Sequence, residues 1–176
     1  MLNSIKKSIA EFIIKRYYVK STVNVRSFKN FVKNSIDYLC LLPQNDADFA
    51  DSLNVIRYLI LHKKNVTVLL PEHKYNLLQV KDSIQTITYK IDDVNKLGLP
   101  SKRMRNFLTQ KSFDCVVDLN RSDSHFLVAV SFSVDSDFRI GFTKKGSDNY
   151  YNFQVANNEI NAEISYKNLL NSLSMF

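Results

Sequence analysis

Thirty residues, 113–142 (FDCVVDLNRSDSHFLVAVSFSVDSDFRIGF), limit most strongly what this chain can fold into. An apolar run at 115–119 leads into a polar loop, a helix-like stretch at 122–132, and a second apolar run at 138–142. Strand, loop, helix and strand in that order build a parallel pair, because parallel strands need a long crossover between them.

The same alternation extends through the chain. Residues 37–42 read as the first strand, stopped by Pro43. A helix over 49–61 follows, with Asp46 or Asp48 as its cap. The β-branched run 65–70 is a buried-type strand, 72–80 a short helix, and 84–91 a third strand. Asp92-Asp93 reads as a helix-start signal, and 102–110 as a basic helix. A sixth strand is expected at 151–155 and a closing helix at 160–173. A strand about every 25 residues, separated by helices, predicts a three-layer Rossmann-like α/β domain with a mostly parallel sheet of five or six strands.

Composition narrows the class. Hydrophobic content of 45% with 23% charged residues is that of a water-soluble globular domain. Cys40 and Cys115 lie inside apolar runs without a Cys-x-x-Cys pair, which points to two buried, reduced thiols in a cytoplasmic protein. No apolar run is long enough to cross a bilayer, and the N-terminus lacks the continuous apolar core of a secretory signal.

The net charge of +7 belongs to one end. Residues 1–35 hold eight basic residues and one acidic residue, while the remainder balances at 16 of each sign. The chain therefore divides into a basic helical arm, 1–35, and a domain, 36–176. Over 2–18 the arm reads as a helix whose apolar stripe is Leu2, Ile5, Ile9, Phe12 and Ile13, with Ile14 pointing away from it. The stripe is expected to dock on the domain, or alternatively to rest on anionic lipid or nucleic-acid phosphates. Lys6, Lys7, Lys15, Arg16, Lys20 and Arg26 are the candidate contacts for such a surface or for an acidic protein partner.

In open α/β sheets ligands gather beyond the carboxyl ends of the strands. Those loops carry Asp46, Asp48, Arg121, Ser122, Asp123, Ser124 and His125, among others. None of the three glycines, Gly98, Gly141 and Gly146, follows the first strand, so no NAD, FAD, ATP or GTP site is expected there, and no other cofactor is indicated. Ser122, Asp123 and His125 are too close in sequence to converge as a triad. Ser122 or Asp123 is read as a helix cap, with Arg121, Ser122 and His125 as a candidate anion-binding set. His62, His73 and His125 lack ligand spacing, and no metal site is expected.

Two segments, Phe113-Asp114-Cys115-Val116-Val117-Asp118-Leu119 and Arg139-Ile140-Gly141-Phe142, resemble the late strand pattern of the heptosyltransferase-type glycosyltransferases (family 9, GT-B fold). The resemblance covers about residues 37–142 and implies the N-terminal half of that fold. It would place Asp48 at the catalytic-base position. The family's glycine before that residue is Ala47 here, and its helix proline is Asn54. The donor-binding second domain has no counterpart in these residues. The chain also resembles short uncharacterised Bacteroidetes proteins with a basic N-terminal helix and a late Phe-Asp strand. The combined expectation is a non-catalytic binding or assembly module, cytoplasmic and peripheral to the membrane. The alternative is a glycosyltransferase-like half acting with a partner chain.

Overall fold

A computed structural model of the chain describes residues 2–19, 31–156 and 161–175. The apolar runs become six strands: β1 (Asp37–Leu41), β2 (Asn65–Pro71), β3 (Gln85–Tyr89), β4 (Ser112–Asp118), β5 (Asp135–Phe142) and β6 (Phe153–Val155). They form one sheet in the order β3-β2-β1-β4-β5-β6, and every neighbouring pair is parallel. The domain is Rossmann-like, and the sheet is parallel throughout rather than mostly so.

Burial on both faces explains the strand sequences. In β1, Tyr38 and Cys40 point into one core while Leu39 and Leu41 point into the other. All four are out of contact with solvent, so after exposed Asp37 the strand is a continuous apolar run instead of alternating. The first core lies under α3 (Asp46–Leu61) and α6 (Ala162–Ser174). The second lies under α4 (Lys102–Leu108) and α5 (His125–Ser131). Cys40 and Cys115 sit in the first core, unbonded, and burial pushes both thiols well above the usual range.

Several local expectations change. Helix α3 is capped by Asn45, whose side chain accepts the Asp48 N–H at 2.8 Å, and not by Asp46 or Asp48. Helix α5 begins three residues later than Ser122, with Ser124 as the cap, accepting the Leu127 N–H. Residues Glu72–Leu77 form a tight 3-10 turn in place of an α-helix. Buried Lys74 holds that turn by an ion pair to Asp46 at 2.6 Å, with its ammonium over the Phe49 ring. Asp93 closes a 3-10 turn, accepting the Lys90 N–H and pairing with Arg103.

The N-terminal helix α1 (Leu2–Ile13) continues as a π-helical turn over Ile14–Tyr18 and packs on α5. The face that docks is the one the hydropathy pattern did not choose. Ala10, Ile14 and Tyr18 join Val128, Ala129, Tyr150 and Tyr151 in a third apolar cluster, with Ala10 and Ile14 fully buried. Those three residues are spaced by four. In an α-helix that spacing drifts by about 40° per step, and the wider turn reverses the drift, keeping them in line. Of the expected docking stripe, Ile13 packs partly buried against this cluster, while three members are turned to solvent: Ile5 is 54%, Ile9 43% and Phe12 66% exposed. A short helix α2 (Phe31–Asn34) leads into β1, its last carbonyls gripped by Lys64, whose ammonium donates to the oxygens of Val32, Lys33 and Ser35.

Candidate functional site

The chain builds outward from β1 to β3, then crosses to β4 and builds the other way. The carboxyl ends of adjacent β1 and β4 therefore feed loops that part to opposite faces, and this switch point is where open sheets leave a crevice. Two clefts open on either side of it, and the loop after β4 separates them.

The first is lined by Asn45, Asp48, Asp51, Arg121, Ser122 and Asn161, and has a volume of about 490 Å³. Asp48 and Arg121, 73 residues apart in sequence, meet here as an ion pair at 3.4 Å, both largely buried. The Asn45 amide donates to the other Asp48 oxygen at 2.8 Å. Burial pushes the Asp51 carboxyl up, helped by the nearby charges of Glu163 and Asp48. Helix α6 closes the back of this region, with the Tyr166 hydroxyl donating to the Leu119 carbonyl oxygen. Both oxygens of the Asp48 carboxylate are therefore engaged, one by the Arg121 guanidinium and one by the Asn45 amide.

The second cleft, about 330 Å³, lies between α1, the start of α5 and the β5–β6 connection. Its floor covers a buried polar network that the sequence did not announce. Asp118 ends β4 with both oxygens engaged. One accepts the backbone N–H and the side-chain amide of Asn120, at 3.0 and 2.8 Å. The other accepts the Lys144 ammonium at 2.8 Å and the Tyr151 hydroxyl. Lys144 donates also to the Asn120 carbonyl oxygen, and its ammonium lies over the Tyr151 ring. Burial, with the Asp118 charge beside it, holds the Tyr151 hydroxyl well above the usual tyrosine range. An aspartate closing a buried strand at a topological switch was the available signal for this network.

The anion-binding set read from the sequence is thus divided. Arg121 and Ser122 line the first cleft with Asp48, and His125 lines the second. Of the basic arm residues, Lys7 reaches the second cleft, while Lys6, Lys15 and Arg16 are exposed, Lys15 pairing with Glu11. Lys20 and Arg26 lie outside the described residues. Among the described residues no three His, Cys, Asp or Glu side chains are grouped to hold a metal ion, and no helix is long and apolar enough to cross a membrane.

One family takes in almost all of these elements. The chain belongs to DUF6913. DUF6913 is a family of unknown function, and the match runs over residues 6–176. The match therefore takes in Lys6, Lys7 and the rest of α1 from residue 6 together with the sheet. No curated protein matches the chain.

Proposed function

We propose that this DUF6913 protein is a non-catalytic, cytoplasmic binding module that rests on an anionic membrane surface through the outer face of α1. The observation that supports this reading is the exposed stripe Ile5, Ile9 and Phe12, on a helix whose opposite face is buried. Lys6 beside it, and Lys15 and Arg16 on the π-helical turn that follows it, are exposed as well. Exposed Tyr17 adds an aromatic anchor. Apolar side chains between cations match a bilayer interface, where acyl chains take the isoleucines and anionic headgroups the lysines. Nucleic acid would use the cations but would leave the isoleucines in water. Each basic residue near an anionic surface contributes about 1 kcal/mol, so a few of them and a short stripe give reversible, peripheral attachment.

The glycosyltransferase-like alternative has less support. It needs Asp48 as a base, and that carboxylate is paired with Arg121 and Asn45.

Point variants test the proposal better than removal of the arm, which would uncover Val128, Tyr150 and Tyr151. Co-sedimentation with vesicles of phosphatidylcholine, with and without phosphatidylserine, should show binding that needs the anionic lipid and weakens with salt. The double variant Ile9→Glu, Phe12→Glu should bind at least about tenfold more weakly, a loss of about 1.4 kcal/mol, with an unchanged circular dichroism spectrum. Equal binding by the variant, or tight binding to RNA that the variant retains, would discard the membrane reading.

A further inference from the structure

We infer that the cleft between α1, α5 and the β5–β6 connection is a binding site for a small molecule carrying a phosphomonoester, and that the ligand fastens α1 to the body. At about 330 Å³ the cleft has the size of small-molecule sites. Its floor is apolar and aromatic, made by Val128, Tyr150 and Tyr151. Its rim carries two ammonium groups and an imidazole from three separate elements: Lys7 of α1, His125 of α5, and Lys145 of the β5–β6 connection. Among the described residues none of these three enters an ion pair, whereas Lys144 beneath them is neutralised by Asp118. Two carboxylates also line the cleft. Glu11 is paired with Lys15 at 3.4 Å, which leaves Asp123 as the one opposing charge without an ion pair there.

Two lysines and an imidazole lining one cleft, over a floor that takes carbon, fit a dianionic group with an organic body. A phosphomonoester carries between about −1.5 and −2 charges at neutral pH, against one for a carboxylate or a phosphodiester. Because Lys7 stands on α1 and the other two on the body, a ligand held by all three stabilises the docked position of α1 by linkage. The cleft lies on the side of α1 turned to α5, away from Ile5, Ile9 and Phe12. This inference therefore goes beyond the membrane proposal and fails or stands separately from it.

The test uses the full chain and phenyl phosphate, with inorganic phosphate as a second probe and sodium chloride at matched ionic strength as control. Phenyl phosphate should raise the melting temperature saturably and slow amide exchange in α1. Lys7→Gln and Lys145→Gln should each weaken its binding at least about fivefold, and Lys102→Gln, on α4, should not. Vesicles doped with phosphatidic acid, compared with phosphatidylserine, decide whether a lipid headgroup can supply the same group. Binding through Lys7 and Lys145 from either source upholds the phosphomonoester site. Shifts that chloride reproduces, or that survive Lys7→Gln and Lys145→Gln in variants with a wild-type dichroism spectrum, overturn it. Loss of vesicle binding in Ile9→Glu, Phe12→Glu with phenyl phosphate binding intact would show that the two surfaces act independently.

Discussion

Asp118 holds four donors while lying almost wholly out of water, and the charge of Lys144 next to it is as deeply buried. Removing one partner of a buried pair leaves the other charge without compensation, which costs about 3–5 kcal/mol. Asp118→Asn keeps the shape and removes the charge, so it should lower the unfolding free energy by about 3 kcal/mol, a fall of roughly 6–12 °C in Tm for a domain of this size. Adding Lys144→Met should recover part of that loss, because the stranded ammonium is gone. Thermal denaturation of the three proteins checks this, and a single variant as stable as wild type would refute it. Gly141 belongs to the same network. A Cβ there would sit 2.9 Å from the Tyr151 ring, so only glycine lets that ring lie against β5 with its hydroxyl on Asp118. The other polar residues behind the glycosyltransferase resemblance hold the fold as well. Asp114 accepts the N–H groups of Ile36 and Asp37 at 2.7 and 3.0 Å, fixing the entry to β1. Arg139 stacks on Phe132 and donates to the carbonyl oxygens of Ser131, Val134 and Ser136.

The elements show where the sequence was readable. Strands buried on both faces read as near-continuous apolar runs, so β1, β2 and β4 stood out without any knowledge of their partners, even with Thr67 and Asp118 buried among them. Helix α1 was harder because it has two apolar faces. Ile5, Ile9 and Phe12 dominate its hydropathy, yet the body takes Ala10, Ile14 and Tyr18, since a small residue and a flat ring let α1 approach α5 closely. Periodicity cannot choose between two such faces; only the shape of the partner can. The loop after β4 was located correctly, but the side each residue faces depends on the start of α5 at His125, set by the Ser124 cap. The docking face has a direct check. Ile14→Ala removes a fully buried side chain and should cost about 2 kcal/mol. Since α1 packs on α5 and the β5–β6 connection, that loss should appear as local opening, with amide exchange in α1 faster by a factor of about 30 and exchange in the sheet unchanged. Ile9→Ala should move the same amides by less than about 0.5 kcal/mol. Equal effects would mean that the two faces had been assigned the wrong way round.

At the scale of the whole molecule, a sheet covered on both sides draws hydroxyls and thiols inside along with the aliphatic residues. Tyr38, Tyr89, Tyr151 and Tyr166 are all buried, and burial pushes each of their hydroxyls above the usual tyrosine range. The thiols of Cys40 and Cys115 move the same way. In the unfolded chain thiols lose their protons near about pH 8.5 and phenols near about pH 10. The folded protein keeps these protons at higher pH and so binds more of them than the unfolded chain in that range. Stability is then fully present below about pH 8 and falls as pH rises past those unfolded values, most steeply above about pH 10. Denaturant midpoints measured between about pH 7 and pH 11 should trace that fall. Phenolate absorbance adds a second reading on the same samples: these four tyrosines should ionise only together with loss of the dichroism signal. A flat midpoint across the range, or ionisation of these tyrosines in the folded protein, would mean that water reaches the network around Asp118 and Tyr151, and with it the floor of the second cleft.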